Sequence, residues 1–197
     1  MPQSVLKIGI VGPESTGKST LGQQLAQFFR ARYVPEYARE YVGHLGRPYT
    51  YEDVCLIAEH NRGEAAEAMS LSENSCVCGI SGTSGSSALC FFDTELIITK
   101  VWLDEVYHRR PDWLTEPIPA DCQMDFYLLL SPDIAAESDP LRENLDQPAR
   151  ERLFDLYLRE VRATGKPYGI VSGQNEKRTA LAIRLIEEAF PKLNEPQ

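Results

Sequence analysis

Positive charge is scarce in this chain: twenty Lys and Arg face twenty-nine Asp and Glu, a net charge of −9 with the three histidines neutral. That balance argues against a broad nucleic-acid-binding face and against an electrostatic anchor on anionic membrane. Any polyanionic ligand therefore has to be gripped locally. Long apolar runs are absent too. None approaches the roughly 18–20 residues that span a bilayer, and the opening MPQSVLKIGIVG lacks the basic-then-apolar order of a secretion signal. Cysteine is sparse and odd in number: Cys55, Cys76, Cys78, Cys90 and Cys122 have neither C-x-x-C spacing nor histidines at zinc-binding intervals. Reduced thiols in a cytoplasm are the expectation.

What remains is ordinary for a folded domain. Hydrophobic content of 43% and charged content of 25% speak against wholesale disorder, and 197 residues most economically form one α/β domain with a single core. Short β-rich apolar runs at 6–11, 33–35, 90–93, 125–130 and 167–172 alternate with amphipathic stretches at 18–31, 51–70, 94–109, 148–164 and 177–190. Five strands alternating with helices predict a parallel sheet covered on both faces. Thr50 followed by Tyr51-Glu52-Asp53 marks one helix start, with a capping hydroxyl and acids in the first turn. Residues 70–88, SLSENSCVCGISGTSGSSA, break the pattern: Ser, Gly and Cys crowd them with no apolar period, so a surface loop is expected. No His or acidic ligand set accompanies Cys76 and Cys78 to make them a metal pair.

The first strand runs straight into GPESTGKST, Gly12 to Thr20, which fits G-x-x-x-x-G-K-[ST] with Gly12, Gly17, Lys18 and Ser19 at the fixed positions. A chain of this length meets that pattern by chance roughly once in a couple of hundred, and here it lies between a strand and a helix as the motif demands. The whole stretch, with Pro13, Glu14, Ser15 and Thr16 between the glycines, predicts a cradle of inward amides for the phosphates of ATP. Lys18 is expected to reach the β- and γ-phosphates, and the Ser19 hydroxyl to bind Mg²⁺. A metal so held usually takes a carboxylate from a neighbouring strand end. Asp93 in CFFDTE stands at one, where open α/β sheets place their sites; it also begins the next helix, so a capping role is open as well.

The chain carries no N-K-x-D sequence for guanine recognition, which leaves small-molecule kinases in front. GPESTGKST, VPEYAREY, YTYEDV followed by IAE, FFDTELIITKVW, DFYLLLSPDI leading to DPLREN, and the late IVSG occur in collinear order over nearly the whole chain. Together they resemble the nicotinamide riboside kinase domain of NadR and its standalone bacterial relatives. That resemblance implies a P-loop NTPase fold of the nucleoside and nucleotide kinase type. It also implies transfer of the ATP γ-phosphate to the 5′-hydroxyl of nicotinamide riboside, a small nucleoside-like partner. NadR joins this domain to an adenylyltransferase and a repressor domain, for which 197 residues leave no length.

Phosphoryl transfer needs positioning, charge neutralisation and a carboxylate to orient the attacking hydroxyl. Glu36, one strand over from the phosphate loop, is the candidate, with Asp93 its rival and Arg39 placed to hold a substrate hydroxyl or the moving phosphoryl group. A pyridinium ring calls for aromatic faces and negative charge, which Tyr37, Tyr41, Trp102, Tyr107 and Glu95 could supply; Trp102 at helical spacing also reads as core. Residues 131–147 follow the fourth strand, where such kinases keep a lid. There Arg142 is the expected transition-state cation, and Arg150 and Arg152 read as a solvated helix face. Ser172 to Asn175, with Arg178 behind, sit where an adenine loop belongs, although a plain turn explains them equally. The chain departs from its relatives at Ala135-Ala136, where they usually carry Pro-Trp after PDI.

Overall fold

The computed structural model describes residues 5–70, 89–135 and 146–194. Five parallel strands, β1 (Leu6–Val11), β2 (Arg32–Val34), β3 (Leu89–Asp93), β4 (Phe126–Leu130) and β5 (Tyr168–Val171), lie in the order β2-β3-β1-β4-β5. The expected five-stranded parallel α/β sheet is thus present. β1 sits at its centre, paired on one side with β3 and on the other with β4, so the loop that follows β1 emerges mid-sheet, between two strand ends.

Strict alternation builds two cores from one sheet. Ile8, Ile10, Leu89, Phe91, Phe126, Leu128 and Leu130 meet Leu21 and Leu25 of α1 (Lys18–Phe29) and Ala182 and Ile186 of α6 (Asn175–Ala189). On the other face, Val11, Cys90, Phe92, Tyr127 and Leu129 pack against α3 (Tyr51–Ser70), α4 (Leu96–Trp102) and α5 (Gln147–Ala163). The short α2 (Tyr37–His44) follows β2 and packs on α3.

The sequence pattern and the structure part company around residues 93–109. One helix is expected there; instead Thr94 adopts a left-handed backbone (φ 69°) and α4 begins at Leu96, capped by the Glu95 side chain accepting from the Ile97 amide at 3.0 Å. After Trp102 the helix widens into a π-helical turn over Leu103–Tyr107. The extra residue per turn shifts the faces of Glu105 and Val106 relative to an uninterrupted α-helix, and such turns often mark functional sites. Residues 71–88, which hold Cys76, Cys78 and most of the expected surface loop, lie outside the described residues.

Candidate active site

The phosphate loop has its shape imposed by backbone constraints at three places. Gly12 (φ 152°) could carry no side chain, since a Cβ there would stand 2.9 Å from the Leu130 carbonyl oxygen. Gly17 (φ 76°) is the α1 N-cap and Ser15 (φ 55°) also lies in the left-handed region. Within the loop, buried Thr16 donates from Oγ1 to the Pro13 carbonyl at 2.8 Å. Lys18 Nζ donates to the carbonyls of Gly12 (2.9 Å) and Pro13 (3.0 Å), which folds the ammonium back over the loop. The first turn of α1 then points its amides and the positive end of its dipole at the same space.

A second grip comes from a residue read in the sequence as solvated. Arg150 on α5 is almost wholly buried and donates from Nε to the Glu14 carbonyl (3.1 Å), from Nη2 to the Ser15 carbonyl (3.2 Å) and from Nη1 to the Ile134 carbonyl (3.0 Å). The signal was there: Arg150 is in phase with Leu153, Tyr157 and Val161 on the buried stripe of α5, whereas Arg152 lies off it and pairs at the surface with Glu105. Arg178, also buried, ties Asp133 (2.7 Å) to the carbonyls of Gly173 (2.6 Å) and Ser131 (2.8 Å), joining the loops that follow β4 and β5. Burial alone would raise the Asp133 pKa, but these hydrogen bonds from Arg178 and the Gly173 amide hold it below the usual value.

One cavity of about 740 Å³ extends from this loop. Gly12, Glu14, Ser15, Thr16, Gly17, Lys18, Ser19 and Thr20 form one end, with Gln174, Asn175 and Arg178 beside them. Glu36, Arg39, Tyr49, Trp102, Glu105 and Tyr157 form the other. Trp102 is fixed there by its indole N–H donating to the Tyr49 hydroxyl (3.2 Å) and by an edge-on contact between the rings at 4.7 Å. The Tyr157 phenol is pushed above its ordinary pKa by burial and then by the charges of Glu14, Glu105 and Glu36, so three carboxylates converge on this wall.

Four of the expected substrate residues do not line the cavity: besides Tyr37 and Glu95, Tyr41 donates from its hydroxyl to Asp53 (3.0 Å) and Tyr107 packs edge-on against Tyr51 at 5.5 Å. Tyr37 stacks on His60 of α3 at 3.5 Å. Glu95 is sealed under the sheet, where Gly9 makes room for it: a Cβ on Gly9 would lie 3.1 Å from Glu95 Cγ. Burial pushes the Glu95 carboxyl up to about 8, with the Glu160 charge adding to the effect, so it brings little negative charge at neutral pH. Glu105, Tyr49 and Tyr157 line the wall instead; none carried a local sequence signal, because a π-turn, a loop and a helix from the far end of the chain assemble them. Arg142 and residues 136–145 of the expected lid lie outside the described residues.

Asp93 is buried at the end of β3 beside the phosphate loop. Its Oδ2 accepts from the Tyr33 hydroxyl at 2.8 Å, while Oδ1 is buried without a hydrogen-bond partner among the described residues, as is Thr94 Oγ1 on the cavity side of the same turn. An orphaned carboxylate oxygen of this kind costs stability unless a cation completes it. Tyr33 also receives hydrogen bonds from the Ser19 and Gln23 side chains. Ser19 and Asp93 therefore share a neighbour, and the donor set of hydroxyl, carboxylate and phosphate oxygens suits Mg²⁺. Among the described residues no group of three or more His, Cys, Asp or Glu gathers for a metal.

A family model described as AAA domain matches residues 7–178. The chain belongs to that AAA-domain family. By sequence, no curated protein matches it. Among solved structures, the AAA-domain chain is similar to NadR protein in complex with NAD and AMP-PNP, at 19% identity and a TM-score of 0.67 over 98% of this chain and 51% of that one. NadR in complex with NR is similar at 19% identity and a TM-score of 0.64, over 93% of this chain and 50% of that one. Deoxyadenosine kinase from M. mycoides, with dCMP and dCDP bound, follows at 13% identity and a TM-score of 0.61, over 93% of this chain and 100% of that one. The chain spans about half the length of the NadR chains. At these identities the likeness is one of fold: a P-loop kinase fold, shared with the family that the sequence resembles. No helix among the described residues is long and apolar enough to cross a membrane.

Proposed function

We propose that this chain is an ATP-dependent small-molecule kinase acting on the 5′-hydroxyl of nicotinamide riboside. The observation that carries the reading is a cavity with the Gly12–Thr20 loop at one end and a wall of aromatic rings and carboxylates at the other. A cationic ring on a neutral sugar matches that wall: Trp102 and Tyr49 offer faces, and Glu36 and Glu105 offer negative charge.

In this mechanism the loop amides and the α1 N-terminus hold the triphosphate, and Lys18 releases the loop carbonyls to follow charge onto the γ-phosphoryl group. Glu36, at the N-cap position of α2 and on the cavity wall, accepts the proton of the 5′-hydroxyl as its oxygen bonds to phosphorus and the bond to ADP breaks. Arg39 steadies the ribose hydroxyls. Ser19 and Asp93 would hold Mg²⁺, which neutralises the β- and γ-phosphate oxygens when bound.

The deoxyadenosine kinase likeness favours a second reading, another nucleoside as acceptor, and the small Ala135 on the cavity rim leaves room for one. Incubation with Mg-ATP and a panel of nucleosides, with ADP release and product mass followed, separates the two. Riboside-dependent ADP and nicotinamide mononucleotide support the first; phosphorylation of another nucleoside supports the second; acceptor-independent hydrolysis overturns both.

A further inference from the structure

Gly22 lies buried inside α1, where an unexplained glycine costs about 1 kcal/mol relative to alanine. Its position has a steric cause: a Cβ there would come 2.7 Å from Tyr33 Cε2 and 3.1 Å from Ile10 Cδ1. The missing side chain lets the Tyr33 ring lie against the helix. From β2, where Tyr33 is the parallel partner of Phe91, the phenol then reaches two residues further along β3 and donates to Asp93 Oδ2 at 2.8 Å. The Tyr33 phenol oxygen in turn accepts from the Ser19 side chain. One Asp93 carboxylate oxygen is thereby engaged and the other, Oδ1, is left buried and unpartnered among the described residues.

We infer that Tyr33, seated by Gly22, is a positioning residue that fixes the Asp93 carboxylate and the Ser19 hydroxyl in register and so sets the affinity of the phosphate site for its divalent cation. The inference rests on the magnesium-nucleotide reading of the cavity. Without the phenol, Asp93 turns freely about its side-chain bonds and Ser19 loses its neighbour; the orienting cost is then met by the cation on binding. The phosphate loop itself is untouched, because its geometry depends on Gly12, Gly17, Lys18 and Arg150.

The test is calorimetric binding of a non-hydrolysable ATP analogue to the full chain, first without metal and then across a Mg²⁺ titration, repeated with Mn²⁺ read by electron paramagnetic resonance. For Y33F the metal-free nucleotide affinity is expected to stay as in wild type while the Mg²⁺ and Mn²⁺ midpoints rise about tenfold, the loss of a hydrogen bond to a charged group. G22A, which displaces the ring and keeps the hydroxyl, is expected to shift the midpoints in the same direction, and the G22A/Y33F double variant to shift them no further than Y33F alone. An unmoved metal midpoint in Y33F overturns the positioning role by itself. Wild-type protein that binds no nucleotide overturns the reading of the cavity, and this inference with it.

Discussion

The two ends of the cavity are made in different ways. At the phosphate end, eight residues of the stretch Gly12–Thr20 line the cavity, and backbone torsions at Gly12, Ser15 and Gly17 dictate their geometry. At the acceptor end, side chains arrive separately from α2, the loop before α3, α4 with its π-turn, and α5. Backbone amides bind phosphate whatever molecule carries it, whereas a wall of side chains is what distinguishes one acceptor from another. Under the proposed function, the chemistry is lodged in a rigid local turn and the selectivity in a tertiary assembly.

Substitutions can break this division one end at a time. Lys18→Ala has the largest expected effect: turnover falls by about three orders of magnitude or more while circular dichroism and melting temperature stay near wild type. Near-normal turnover would remove the phosphate-end assignment. At the seam, Glu36→Gln lowers turnover about 10²- to 10⁴-fold at saturating riboside without weakening nucleotide binding by calorimetry; unchanged turnover would transfer the proton to Asp93. At the far end, Trp102→Ala raises KM for the cationic riboside about tenfold and leaves KM for ATP alone. A rise in both would show that the two ends are not separable.

The smallest effect lies outside both ends and serves as their control. Glu95 titrates near 8 in the folded chain against 4.5 as its ordinary value, so the folded state binds the extra proton between those values. Its stabilising contribution is complete below about pH 4.5 and is lost as pH rises toward 8, at a slope of about 1.4 kcal/mol per pH unit at most. Glu95→Gln should flatten that part of the stability curve, measured by urea unfolding at steps from pH 5 to 9, and leave KM for both substrates unchanged. A wild-type curve without the fall would refute the buried, protonated state.

The contrast also explains what could be read from the chain. The sheet and its two cores were legible because residues such as Ile8, Ile10, Phe91 and Leu128 alternate strictly with Cys90, Phe92, Tyr127 and Leu129, and the phosphate end because its motif is contiguous. Glu95 misled because adjacency to Asp93 says nothing of side-chain direction: the left-handed Thr94 turns the backbone between them. Glu105 was hidden by the change of helical period at Leu103. Arg150 was readable from its place on an apolar stripe, which its charge alone conceals.

That arginine has a practical consequence. The loop's letters form a compact cassette near the N-terminus, yet part of its curvature is maintained by a guanidinium 136 positions downstream. Grafting Gly12–Thr20 onto another scaffold would therefore transplant the spelling without the brace, and a working graft must bring the start of α5 along as a counterpart.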